Sequence, residues 1–223
     1  MQQTPAHHVA NPHLLGLVPA GVRRVVEVGC MLGDLARAVR EAHPGVHYTG
    51  IDIDPDYAAA AAAHCDVSFA GDIEKLDGAA WDRLFPSDCW IFGDCLEHLR
   101  DPWALLKRIH AAADPGATLL VCVPNAQHWS VQWRLASGQF RYEPSGLLDR
   151  THLRWFTRIT LLEMFAATGW RVDTGLTRHL PQAPQEAAVL QAIRQLAAAG
   201  GADPDLAEQD SRPFQYVFRL QRA

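Results

Sequence analysis

The sequence predicts an α/β fold, a doubly wound and mostly parallel sheet with helices on both faces. Three features carry that reading. Arg24-Val25-Val26-Glu27-Val28, followed by Gly29, Gly33 and an Ala-containing helical pattern, reads as strand, tight turn and helix. Short apolar runs alternate with helical stretches through the rest of the chain, the pattern of repeated strand-helix units. The second of these runs closes on Asp52, about 20 positions after the glycine turn, where such units place an acid at the carboxyl end of a strand. At 223 residues the chain suits one domain, 1–223, with a full core.

Composition removes several classes of function. Net charge is -5 with a pI near 6.1, and no Lys/Arg block stands out, so nucleic acid is not an expected partner. The 5 cysteines are Cys30, Cys65, Cys89, Cys95 and Cys122. They are odd in number and contain no C-x-x-C, which argues against a disulfide framework or a zinc ribbon and implies a reducing cytoplasm. No basic leader precedes an apolar run, and no stretch approaches the ~20 apolar residues of a membrane span, so a soluble cytoplasmic protein is expected.

The glycine turn decides what kind of ligand fits. A dinucleotide site wants G-x-G-x-x-G, whose middle glycine lets a pyrophosphate approach the backbone. This chain has Gly29-x-x-x-Gly33 with Met31 between, and Glu27 puts a carboxylate where a pyrophosphate would sit. A cation fits better there. S-adenosylmethionine carries a sulfonium and an ammonium and no phosphate, so it is attracted where NAD would be repelled. Asp52 is then placed to accept hydrogen bonds from ribose hydroxyls. Asp52-x-Asp54-x-Asp56 also imitates the start of a calcium loop, but Tyr57 stands where that loop needs Gly and Ala63 where it needs Glu; no metal is expected.

Glu27-x-Gly29-x-x-x-Gly33 resembles the first motif of class I S-adenosylmethionine-dependent methyltransferases, usually E/D-x-G-x-G-x-G, with Met31 as the departure. The resemblance runs from about Val25 to Val172. It implies a Rossmann-like, doubly wound seven-stranded sheet with one antiparallel strand, and S-adenosylmethionine as cofactor. The implied cofactor contacts are Glu27, Gly29, Cys30 and Gly33 at the first turn and Asp52 with Ile53 at the second. Asp72 and Ile73 would serve adenine at the third turn, and Asp94 follows the fourth strand.

The elements follow in order. Residues 1–20 form a lead-in, polar at first, with Asn11-Pro12 as cap and first position of a short helix through Val18 that could cover the cofactor. The glycine turn opens a helix to about His43. Pro44-Gly45 breaks it before the second strand, Val46 to Asp54, and Pro55 starts the Ala-rich helix to His64. Val67 to Ala70 is the third strand and Cys89 to Asp94 a buried fourth. "DCLEHLRDP" resembles the post-strand motif of a large methyltransferase subgroup, in which this segment faces the transferring methyl. Asp101 caps a helix from Pro102 to about Ala113, and Thr118 to Val123 is the fifth strand. Thr157 caps a helix closed by Gly169, Trp170 to Thr177 starts the last strand pair, and Pro181 to Gly201 is helical. Asp203-Pro204 and Asp210-Ser211 are expected to bracket a polar loop before the final strand, Phe214 to Leu220, whose alternation suits a sheet edge.

Residues 124–156 mix polar and aromatic side chains without clean periodicity, which reads as an inserted cap over the carboxyl edge of the sheet. "PNAQHWS" with "GLLDRTHLRWFT" resembles methyltransferases associated with bacterial glycan and natural-product gene sets. Asn125, His128, Trp129, Arg134, Arg150 and Arg154 are therefore the candidate acceptor contacts. The expected activity is methyl transfer to a small-molecule acceptor, foremost a hydroxyl of a sugar, glycan or secondary metabolite. N- or C-methylation and a non-catalytic cofactor-binding subunit are the rivals, with a dehydrogenase behind them because the middle Gly is missing. His98 and His152 are the candidate bases, since an imidazole near pKa ~6.5 is available as a proton acceptor at neutral pH. Acceptor identity and oligomeric state stay open.

Overall fold

A computed structural model describes residues 4–223. Asn11 caps α1 (Pro12–Leu17) by accepting from the His13 and Leu14 amides, and the apolar side of α1 leads into β1 (Arg24–Val28). Then follow α2 (Asp34–Ala42), β2 (His47–Asp52), α3 (Pro55–Ala61), β3 (Val67–Ala70), α4 (Gly78–Asp82) and β4 (Cys89–Gly93). The second half holds α5 (Pro102–Ala112), β5 (Thr118–Pro124), α6 (Trp129–Ala136), α7 (Arg158–Ala167), β6 (Trp170–Arg178), α8 (Glu186–Ala199), α9 (Pro204–Ser211) and β7 (Gln215–Arg222). The strands form one 7-stranded sheet in the order β3-β2-β1-β4-β5-β7-β6, with β7 antiparallel to both neighbours and the first five strands parallel. This is the expected Rossmann-like seven-stranded arrangement.

Alternation along β1 assigns the two faces. Val26 and Val28 join the larger core cluster with Trp90, Phe92, Leu119, Val121 and the apolar side of α5 and α7. Val25 points to the other face, into a cluster with Leu14, Leu35, Val39, Tyr48 and Ile91. With both faces covered, the central strands can be continuous apolar runs, as β4 and β5 are. The chain winds outward from β1 through β2 to β3, then returns to place β4 on the other side of β1. At that reversal the carboxyl ends of β1 and β4 diverge and leave a crevice, the usual ligand position in such sheets.

Two expectations are corrected. The segment read as a polar loop is the helix α9, with Asp203 as N-cap to the Asp205 and Leu206 amides and Pro204 at its first position. The Asp-Pro pair is thus a helix start, not a bracket. β7 is not an edge: it lies between β5 and β6, and its Tyr216, Val217, Phe218 and Leu220 are buried, so its aromatic residues serve the core. The edges are β3 and β6. Helix α4 had no expectation at all; it carries Trp81 onto Trp90 and Phe85 with ring centroids 6.0 and 5.4 Å apart. All 5 cysteines are free and buried, and among the described residues no helix is long and apolar enough to cross a membrane.

Gly33, the N-cap of α2, combines a left-handed φ of 80° with a close neighbour: a Cβ there would lie 3.1 Å from the Ala61 Cα. Gly33→Ala should therefore cost roughly 2–4 kcal/mol, from about 1–2 for the left-handed backbone and the rest for overpacking against α3. Denaturant unfolding measures this, and a loss under about 1 kcal/mol would show that the α2–α3 contact yields freely.

Candidate active site

The first wall of the crevice is the turn after β1. Gly29, Met31 and Gly33 have φ of 77°, 45° and 80°. Two are glycines, for which this region is free; Met31 takes the same left-handed conformation against its Cβ. What holds it is Asp52, whose Oδ2 accepts from the Met31 amide at 2.8 Å while Oδ1 accepts from the Asp54 amide at 2.9 Å. The Gly29 and Cys30 amides both donate to the Ile51 carbonyl, at 2.8 and 3.2 Å. The loop therefore keeps a glycine-like backbone although the motif's glycine is missing. Each Asp52 oxygen retains a further lone pair. Beside it Ile53 is 56% exposed, an apolar side chain left open at the cleft, whereas Ile73 is 3% exposed and packs in the core. Asp72 pairs with Lys75 at 2.7 Å.

Glu27 is only 5% exposed, and its Oε2 accepts from the Tyr48 hydroxyl at 2.8 Å. Burial pushes its carboxyl up to about 8, with the Tyr48 bond opposing the rise and the Asp52 charge adding to it. The ordinary carboxylate charge is thus suppressed at neutral pH and would return when a cation enters the crevice. Burial likewise pushes the Cys30 thiol far up, so Cys30 lines the turn as an apolar group.

The second wall begins where β4 ends. Asp94 has a left-handed φ of 51°, its amide donates to the Cys122 carbonyl at 2.9 Å, and its Oδ1 accepts from the Gln215 side chain of β7. Protein crowds Asp94, yet its surface is solvent-accessible. The crowding raises its carboxyl above the ordinary range, and Arg178 with the bonds to Cys122 and Gln215 counters it. A 3-10 turn, Leu96–His98, follows. The Glu97 carbonyl accepts from the Leu153 and Arg154 amides at 2.8 and 2.9 Å, which docks the 149–156 strip onto this turn.

That docking assembles a cluster. The His98 and His152 rings lie 4.8 Å apart in edge-to-face contact, and His152 Nε2 is 3.9 Å from Glu97 Oε1. Thr151 Oγ1 lies 3.0 Å from His98 Nδ1 and donates to Asp149 Oδ1 at 2.7 Å. Asp149 Oδ2 in turn accepts from the Thr4 hydroxyl at 2.9 Å, while the Thr4 carbonyl accepts from Tyr57. The lead-in thereby bridges the two walls. Desolvation pushes both histidines below their ordinary value, His152 to about 4, so both are neutral at pH 7. Glu97 is 1% exposed with no hydrogen-bond partner on either oxygen among the described residues, and burial drives its carboxyl well up.

The cap residues divide. Asn125 is fully buried, with Nδ2 donating to the Asp210 and Pro213 carbonyls at 2.8 Å each and Oδ1 accepting from the Gln127 amide, so its amide anchors the segment. Trp129 is 8% exposed and packs against Leu190 and Ile193 of α8, so it is chiefly core. His128 caps α6 through Nδ1, and Arg134 pairs with Glu143 at 2.7 Å. Both line a recess of about 350 Å³ with Trp129, Leu148, His179 and Phe214. Arg150 approaches the Glu143 carbonyl, and Arg154 donates to the Arg100 carbonyl at the surface. Sequence reasoning passed over Glu97, Asp149, Thr151 and Gln215. The adjacency of Glu97 to His98, and of Asp149 and Thr151 to His152, was available as a signal; no local spacing links the two groups, which lie more than fifty residues apart.

A seven-stranded sheet with a single antiparallel inner strand, and a crevice at its reversal point suited to a nucleoside cation, defines a cofactor-binding α/β transferase. Residues 6–174 match the family model described as "Methyltransferase domain", and the chain belongs to that family, the class I S-adenosylmethionine-dependent methyltransferases. It is 30% identical over 125 residues to a ubiquinone biosynthesis O-methyltransferase of Xanthomonas campestris pv. campestris, covering 53% of this chain and 52% of that protein. It is 27% identical over 207 residues to a trans-aconitate 2-methyltransferase of Streptomyces avermitilis, covering 85% and 74%. The chain thus spans about half the length of the first of these relatives. The fold resembles an S-adenosylmethionine-dependent methyltransferase from Mesorhizobium loti, with TM-score 0.59, 19% identity and coverage of 95% and 96%. It also resembles magnesium protoporphyrin IX methyltransferase from Synechocystis PCC 6803, solved with bound SAH, at TM-score 0.59, 13% identity and coverage of 93% and 77%.

The raised Glu27 has a consequence for stability. In the unfolded chain it ionises near 4.5, whereas in the fold it keeps its proton to about 8. Its contribution is fully present below 4.5 and is lost as pH rises toward 8, because the unfolded state then binds fewer protons. Glu27→Gln should remove that loss, so the variant should gain on the parent by about 1–4 kcal/mol between pH 5 and pH 8. Unfolding curves at the two pH values decide, and parallel behaviour of parent and variant would refute a neutral Glu27.

Proposed function

We propose that this protein transfers a methyl group from S-adenosylmethionine to a hydroxyl of a small molecule, a sugar, glycan or secondary metabolite. The observation that carries the reading is the pair of neutral imidazoles, His98 and His152, gathered beside Asp94 at the crevice where the family holds its cofactor. A hydroxyl is a poor nucleophile until its proton is drawn away, and neutral imidazoles beside the reacting oxygen suit that need. The likeness to a ubiquinone biosynthesis O-methyltransferase of Xanthomonas favours oxygen over nitrogen or carbon as the acceptor atom.

The parts fit the chemistry in a simple division. Gly29, Cys30, Gly33 and Glu27 would hold the methionine end of the cofactor, Asp52 its ribose, Ile53 with Asp72 its adenine while Ile73 backs that turn from the core, and Asp94 the side facing the methyl. The acceptor would enter under the 124–156 cap, with the recess around Arg134, His128 and His179 receiving its body. The acceptor oxygen forms the new bond to the methyl carbon, and the old carbon-sulfur pair passes to sulfur, leaving a neutral thioether. The hydroxyl proton leaves through the His98 side. Positioning supplies much of the rate in such an in-line displacement.

Calorimetry should find S-adenosylmethionine binding and no NAD binding. Asp52→Ala should weaken it by ~1–3 kcal/mol, the range for a hydrogen bond to a charged group, with extra loss where the Met31 amide is released. Unchanged affinity would remove Asp52 from the ribose role. For acceptor chemistry, products from an acceptor panel are read by mass for one added methylene. With an accepted substrate, His98→Ala should lower turnover by ~10²- to 10⁴-fold with cofactor affinity nearly intact. Arg134→Ala should raise the acceptor KM and leave the cofactor alone; an equal loss of both would make the cap a structural part. Retention of labelled cofactor with no turnover on any acceptor would favour the non-catalytic rival.

A further inference from the structure

We infer that Glu97, His98 and His152 form a binding site for one divalent transition-metal ion of the zinc or manganese type, contrary to the expectation of no metal. Each residue offers a ligand atom, and the three atoms lie within 4.8 Å of one another, so the widest pair has to close by about 1 Å around a bound ion. An ion bound at ~2.0–2.2 Å by nitrogen and oxygen ligands holds those ligands roughly 3–4 Å apart. The 3.9 Å between His152 Nε2 and Glu97 Oε1 is too long for a hydrogen bond and suits two ligands of one ion.

Three further features point to a ligand and not to a core contact. The Glu97 carboxyl is buried to 1% exposure with no hydrogen-bond partner on either oxygen among the described residues. Such a group left unanswered is costly, and an ion answers both its charge and its lone pairs. The histidines are prepared in the same sense. Thr151 donates its hydroxyl proton to Asp149, so toward His98 it can only accept, which fixes the proton of His98 on Nδ1 and leaves Nε2 with a free lone pair. His152 Nε2 is turned to Glu97. Ligating histidines characteristically hand their other N–H to a carbonyl or a carboxylate-linked group in this way. Finally, Leu153 and Arg154 clamp the His152 strip to the Glu97 carbonyl, so the trio is held by backbone and not by chance side-chain approach.

Two imidazoles and one carboxylate select a borderline first-row ion over magnesium or calcium, which favour all-oxygen shells. The trio leaves coordination positions open for water or an acceptor oxygen. With the ion bound, His98 and His152 would act as its ligands and the ion would acidify the acceptor hydroxyl, whose proton passes to water as the oxygen takes the methyl; in the ion-free protein the imidazoles keep the direct proton-accepting role given above. This role rests on the methyltransferase reading above, but the site itself does not, and the test separates the two.

The full chain, dialysed against chelator, is titrated with manganese chloride and with zinc chloride by calorimetry, with magnesium chloride as the comparison and no acceptor present. One ion per chain should bind, more tightly for manganese or zinc than for magnesium, and should raise the thermal midpoint. Glu97→Gln and His152→Ala should each weaken binding by at least about 10²-fold, and Thr151→Val by about 10-fold through the His98 ring. His47→Ala, at the amino end of β2, should change nothing. S-adenosylmethionine titrated into the same preparations reports that each variant is folded. No ion bound at millimolar concentration, or binding indifferent to Glu97→Gln and His152→Ala, would overturn the site. Ion binding without cofactor binding would keep the site and sink the proposed function; cofactor binding without ion binding would do the reverse.

Discussion

The pairing of β1 with β4 is the constraint from which the rest of this molecule follows. Because Glu27 stands in register with Ile91, the turns leaving the two strands are neighbours, and a Cβ at Gly29 would lie 3.5 Å from Cys95. The cofactor loop and the Asp94–His98 turn are therefore two walls of one crevice, although more than sixty residues separate them. Both walls carry a non-glycine residue in the left-handed region, Met31 and Asp94, and each is held there by bonds to a neighbouring strand. Strained backbone at a cleft persists only where surrounding structure over-determines it. Here Asp52 of β2 and Cys122 of β5 do so.

The crevice is rich in acids. Glu27 and Glu97 are buried and raised by desolvation first, and Asp94, which keeps an accessible surface, is raised as well. Few cations stand near them: Arg178 opposes the rise at Asp94, and Glu27 has only a hydroxyl. The neutralised carboxyls of Glu27 and Glu97 become favourable toward positive charge, since binding a cation restores the ionised form. That single property suits a sulfonium cofactor on one wall and a metal ion on the other.

The cap follows a different logic. Its Trp129 is drawn into the contact with α8, and its Asn125 into the backbone of the α9–β7 turn, so the segment is tied to the carboxyl-terminal helices as firmly as to the sheet. What remains free to meet a ligand is the surface between these ties, where His128, Arg134 and His179 surround the recess. The lead-in completes the enclosure through Thr4, which joins α3 to the Asp149–Thr151 strip across the mouth of the crevice.

The sequence by itself determined the layered fold and the strand ends that make the cofactor crevice, because strand, turn and cap signals are local. The β-branched run to Val28, the Gly29 and Gly33 turn, Asp52 at the end of β2 and the Thr157 cap all act on neighbours within a few residues. Even the Asp203-Pro204 start of α9 was written there, read as a loop because an Asp-Pro pair serves turns and helix starts alike. Tertiary structure alone decided the rest. That β7 is an inner strand depends on which strand it pairs with, since aromatic alternation suits edge and interior equally. That Glu97 is a buried, unanswered acid, that His152 joins it, and that Thr151 and Asp149 set the His98 tautomer depend on one backbone docking between residues 97 and 153–154. Such a contact leaves no periodicity in the chain, because its energy comes from groups brought together by the sheet and not from their spacing along the sequence.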